Sequence, residues 1–218
     1  MEARQPKQSF EESLDQAQQM NRDFRGTSSV PTDLVGRITA FLVSPEASFI
    51  GVRNEPLIIS DFFRSYLAPL AGVSALAGML GQLIFGGPLG IKVSFGSALQ
   101  GAIISFALAL LMVFIMSHVL GLIASQFFGE TQPHETWLKL VGYAWTASFI
   151  GSIAAIVPYL GFLFALGFTV YSLYTFYLGL GVLTSIERRG LFIAATIVAG
   201  FVLGAVVSLL AGGLLIAR

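Results

Sequence analysis

The chain has 218 residues, no net charge and no cysteine, and only 11% of its residues are charged against 55% hydrophobic. An ordinary soluble domain carries roughly 25% charge, so the class is integral membrane. The missing cysteines exclude disulfides, thiol nucleophiles and thiolate metal sites. A balance of 12 basic and 12 acidic residues selects no charged partner, and nucleic acid is not expected.

Residues 1–30 are rich in Gln, Glu, Ser and Arg and hold little to bury, which predicts a disordered cytosolic tail. The first 25 residues contain no apolar core, so they do not read as a signal peptide. Residues 31–64 form a second region. Here Leu34, Val35, Ile38, Phe41 and Leu42 recur at helical spacing. Ser44 followed by Pro45 reads as a helix N-cap with proline in the first turn, so a second short helix starts there. Pro56 ends it. The region is too polar to cross a membrane, and the spacing predicts two amphipathic helices lying in the interface or on the ends of the spans. Phe41, Leu42, Phe49 and Ile50 would face lipid or the spans, and Glu55 would pair with Arg53, Arg64, Lys139 or Arg188.

The remainder, 65–218, is punctuated by charge into a five-span bundle, since about 20 apolar residues cross a bilayer. The spans fall at about 65–86, 95–125, 140–157, 160–184 and 191–217. No charged side chain lies between Leu140 and Ile186, a stretch of two-helix length, and Pro158 with Gly161 marks its turn. Pro69 stands in the first turn of the first span. The basic residues favour the N-terminal side of the membrane, which predicts a cytosolic N-terminus and a C-terminus outside. Small residues at four-residue spacing, Gly200 and Gly204 above all, predict close helix packing by the fifth span.

No catalytic set and no metal-ligand spacing is visible, and no cofactor is implied. The spans lack the midplane charge that ion-coupled transport usually requires. His118 is the one imidazole inside a span, while His134 shares a loop with Glu130 and Glu135. The most distinctive polar feature is the run "YSLYTFYLGLG", in which Tyr171, Tyr174 and Tyr177 recur every third residue. Tyr143, Trp145 and Thr146 of the preceding span would face them across the Pro158 turn. Such a seam, with His118 included, would take a lipid headgroup or a partner helix, since each hydroxyl needs a partner in lipid. Two functions compete on these residues. One is a non-enzymatic membrane organiser or adaptor acting through partners or self-association, and the other is a transporter of lipids or small molecules.

The segments "FLVSPEASFIGVRNEP", "YLAPLAGVSALAGMLG", "VGYAWTASFIGSIAAIVPYLG" and "YSLYTFYLGLGVL", in this order, resemble the bacterial branch of the Yip family of Ypt-interacting membrane proteins. The resemblance runs from about Val35 to the C-terminus. It rests on Ser44, Pro45, Glu55, Tyr66, Pro69, Tyr143, Trp145, Pro158, Gly161, Tyr174, Tyr177 and Gly179. It implies five spans, a cytosolic N-terminus, the bacterial inner membrane and homo- or hetero-oligomers. A Rab GTPase partner is implied only in a eukaryotic setting. Ala147 and Gly181 stand where relatives often have proline, which implies straighter third and fourth spans.

Overall fold

The computed structural model describes residues 30–86, 92–156 and 160–216. The tail expectation for 1–29 and the Pro158 turn lie outside the described residues. Two short helices come first, α1 (Leu34–Val43) and α2 (Pro45–Arg53). A long helix α3 (Ile59–Phe85) follows, then α4 (Phe95–Phe127), α5 (His134–Ala144) and α6 (Thr146–Ile153). A 3-10 turn at Ala154–Ile156 continues α6, and α7 (Leu160–Leu183) and α8 (Arg189–Ile216) complete the chain. No strand occurs among the described residues.

Local chemistry accounts for the boundaries. Asp33 caps α1 by accepting from the Gly36 amide at 2.8 Å. Ser44 precedes α2, with Pro45 in the first turn, but its side chain makes no capping bond. Its carbonyl accepts from the Ser48 hydroxyl instead. Proline at 69 removes the donor that would reach back to Ser65. The helix answers with a π turn at Phe63–Leu67, which widens the ladder just before the proline. Gly86 ends α3 at φ 91°, a conformation that favours glycine.

Four helices are long and apolar enough to cross a membrane: α3, α4, α7 and α8. The stretch 140–157 is not one continuous span. Its helix breaks at Trp145, with φ −79° and ψ −6°, although residue 147 is alanine. The ladder is carried across the break by bonds from the Trp145 amide to Val141 O and from the Phe149 amide to Trp145 O, both at 3.0 Å.

The core sits where α1 and α2 meet α3, α5 and α7. Phe41, Phe49, Phe62, Tyr66, Leu140 and Tyr143 are buried there. Two glycines make room for it. A Cβ on Gly142 would lie 2.6 Å from the Phe62 ring, and one on Gly179 would lie 2.6 Å from Phe49 and 2.7 Å from Leu140. On α4, Gly121 lets the Trp137 ring lie flat on the helix. The glycines singled out for packing in α8 do no such thing within this chain. Among the described residues, a Cβ on Gly200 would meet only Met116, at 4.0 Å, and one on Gly204 would meet nothing within 4 Å. Instead, α8 is anchored at its start, where Phe192 is fully buried between Phe128, Trp137 and Phe176.

Gly179→Ala is therefore expected to destabilise the fold by about 1–3 kcal/mol through overpacking against Phe49. Gly204→Ala should leave the monomer unchanged within about 0.5 kcal/mol. Thermal unfolding of the two variants in detergent, followed by helical signal, checks the contrast.

Candidate functional site

The end of α2 is built on a buried lysine. A helix leaves its last carbonyls without partners, and they form its negative pole. Lys139, on α5 and only 7% exposed, extends its ammonium into that pole. It donates to Val52 O at 2.8 Å, to Arg53 O at 3.4 Å and to Glu55 O. A buried ammonium needs such partners, because desolvation without them is costly. Burial pulls the Lys139 pKa below the ordinary lysine value, with Glu55 and Glu135 opposing.

Beside it Arg37, on α1, ties three parts of the chain. Its guanidinium donates to Glu55 at 2.8 Å, to the Tyr143 hydroxyl at 2.7 Å and to Pro31 O at 3.0 Å. Glu55 thus pairs with Arg37, not with any of the four bases considered from the sequence; its backbone, not its carboxylate, meets Lys139. A guanidinium offers several donors in a fixed plane, which suits this branched role. Beneath it the Tyr143 ring is stacked on Phe41 at 4.1 Å and met edge-on by Phe62 and Tyr66, both at 5.0 Å. The Tyr66 hydroxyl bonds Thr146 at 2.7 Å, so the π turn in α3 is tied to the start of α6. A cavity of about 280 Å³ opens over this junction, lined by Arg37, Glu55, Asp61, Ser65, Tyr66 and Lys139 among others.

The residues expected to form one seam separate into four places, His118 lying apart beside His134. Tyr143 and Thr146 belong to the junction. Tyr171 donates to Leu42 O at 2.7 Å and so also holds α1, while its ring touches Tyr174. Tyr174 and Tyr177 face outward, and Tyr177 lies under the Arg189 guanidinium at 5.8 Å. Trp145 lines a separate cleft between α3, α4 and α6. Of the interfacial set, Phe41 and Phe49 are buried in the protein, Leu42 is half-buried, and Ile50 is exposed. Gly161 is buried in the first turn of α7. Lys139 and Arg37 were not among the site residues read from the sequence. The available signal was Lys139 itself, the lone base between Lys92 and Arg188.

His118 stacks against His134 with ring centroids 3.8 Å apart, and Phe114 contacts both rings. His118 Nδ1 donates to Phe114 O at 2.9 Å. His134 Nε2 is buried without a partner among the described residues. No group of three or more metal-ligating side chains occurs among the described residues.

Two outcomes follow from this geometry. Lys139→Met leaves the α2 carbonyls unmet and should lower the opening free energy of residues 45–55 by roughly 3 kcal/mol. Glu55→Gln, at a more exposed contact, should cost less. Hydrogen exchange on the purified variants compares them. The second outcome concerns His134, whose pKa is lowered by burial and by His118 against a smaller opposing effect of Glu135. The unfolded chain then takes up that proton first, so stability falls as pH drops through about 6.5 towards the folded value. His134→Phe should keep the contact with Phe114 and flatten this pH dependence of the thermal midpoint.

Comparison with curated proteins and with solved structures gives no match. The family model described as the Yip1 domain matches residues 39–210. That range takes in the second half of α1, all of α2 to α7 and most of α8, together with Glu55, Lys139 and Tyr143 of the junction. The chain therefore belongs to the Yip1 domain family.

Proposed function

We propose that this protein is a non-enzymatic organiser of the membrane that works by associating with further copies of itself or with related membrane proteins. The observation that carries this reading is the unfinished packing of α8. Only 11% of its apolar window is buried in the chain. Beyond the Phe192 anchor, α8 and α4 diverge around an open groove of about 730 Å³, lined by Val119, Ile123, Ala195, Val198, Val202 and Leu203 among others. The open glycines at 200 and 204 are close to this groove in sequence. In lipid, helices associate by close packing of small residues, and such a face is suited to receive another helix.

In this reading the chain crosses the bilayer five times. Residues from about 140 through α6 and the 3-10 turn supply the fifth crossing, starting just after Lys139, since a short span of about 17 residues suffices and the backbone bonds run through the break. The N-terminus faces the cytosol by the distribution of basic residues. The membrane is the bacterial inner membrane, where a Rab GTPase has no place. Helices α1 and α2, fixed by Arg37 and Lys139, present Val35, Val43 and Ile50 outward as a cytosolic apolar platform for lipid headgroups or an adaptor partner.

The absence of cysteine makes the test direct. Single cysteines at Val198, Val202 and Phe201 of α8, and at Leu166 of α7 as a control, are introduced one at a time into the full chain. Oxidation in native membranes should give crosslinked dimers, or crosslinks to a partner, at the groove positions Val198 and Val202. Crosslinking at Leu166 should be weak. Equal or absent crosslinking at all four positions would remove α8 as the associating face.

A further inference from the structure

A second cavity, of about 340 Å³, lies between α3, α4 and α6 and takes no part in the junction or in the α8 groove. Its lining is mostly apolar but carries five polar side chains. Ser74, Ser105, Ser148, Ser152 and Gln82 line it, and Trp145 forms a wall. On α3, Ser74 and Gln82 are eight residues apart, so the cleft runs for about 12 Å along the helix. It ends one turn before Gly86.

Part of this polarity is internally satisfied. The Ser74 hydroxyl donates to Phe149 O at 2.8 Å and contacts the Ser152 hydroxyl, which donates to the same carbonyl at 2.6 Å. Ser148 is paired with Ser172 of α7 at 2.8 Å. The side chains of Gln82, half-buried, and Ser105, exposed, have no hydrogen-bond partner among the described residues. An amide and a hydroxyl that face the cleft unpaired are free to bond the hydroxyls of a ligand. The break at Trp145 opens onto the same place, as interrupted helices do in membranes where they line a cavity. No lining residue carries a charge, so an ionic ligand would find no counterion. The volume is at the small end of ligand sites, too little for a whole phospholipid.

We propose that this cleft binds a neutral polyol group, with Gln82 and Ser105 as the residues that hydrogen-bond it and Ser74 and Ser152 tying the α3 and α6 walls together. Two sources carry that chemistry: the glycerol end of a diacylglycerol within the bilayer, and free glycerol from water. The site is independent of how the chain associates.

The test uses the full-length protein in phosphatidylcholine nanodiscs with a diacylglycerol bearing a photoreactive group next to its glycerol. Mass spectrometry should place adducts on the cleft segments of α3, α4 and α6, and excess unlabelled diacylglycerol should suppress them. Gln82→Leu should lower labelling at subsaturating probe about tenfold, as expected for one unmade hydrogen bond to the ligand, and Ser105→Ala should lower it in the same direction. Neither side chain has a bond to lose, so neither variant should lower the thermal midpoint. Suppression by free glycerol at lower concentration than by diacylglycerol would support the site and assign it to a soluble polyol. Suppression by phosphatidic acid equal to that by diacylglycerol would overturn the neutral ligand. Adducts confined to the exposed face of α8, no adducts at all, or labelling undiminished in both variants would overturn the site.

Discussion

One ammonium group fixes the N-terminal third of the described structure. Lys139 is carried by α5, deep enough to be shielded from water, and there it must find acceptors. The carbonyls at the end of α2 are the acceptors within reach, and they in turn need a donor. Each side of this contact removes the other's cost. Once α2 is held, Phe49 drops against Gly179, Phe41 stacks on Tyr143, and Arg37 comes within reach of Glu55. The platform of α1 and α2 is therefore a rigid extension of the bundle and not a pair of helices floating at the surface. A charge-bearing residue inside a membrane protein is more often read as a site for ions or protons. Here geometry gives it a mechanical role.

The sequence displayed the membrane character plainly, because charge is expensive in hydrocarbon and its gaps mark the spans. It displayed the two short helices too, through the Leu34–Phe41 spacing and the Ser44-Pro45 pair. It was silent on the break at Trp145, since neither proline nor glycine stands there and the ladder persists across it. It was also silent on which polar groups meet. Tyr143 and Tyr171 both hold α1, but they do so from different helices and through different partners. Tyr174 and Tyr177 share the spacing of Tyr171 yet face outward. A three-residue repeat advances about 300° on a helix, so successive residues drift around the axis and need not remain on one seam.

The glycines teach the same lesson. Gly200 and Gly204 carry the familiar spacing for helix packing, and within the chain they touch almost nothing. Gly142 and Gly179 carry no pattern, and both sit under aromatic rings that leave no room for a methyl group. A close approach depends on the partner's side chain, which lies far away in sequence. Spacing along one helix cannot display it.

The length of α4 has a consequence for the surrounding lipid. Its 33 residues extend about 50 Å, against a hydrocarbon thickness of about 30 Å. A free helix would resolve that mismatch by tilting. This one is pinned near its C-terminal end, where Trp137 lies on Gly121 and where Glu130 accepts from the Ser185 amide at 3.0 Å. Tilt of α4 must then carry the whole bundle with it, or the adjacent leaflets must thicken around its exposed apolar flank. Either response makes the protein sensitive to acyl-chain length, and a set of such chains would gather where the bilayer is thick.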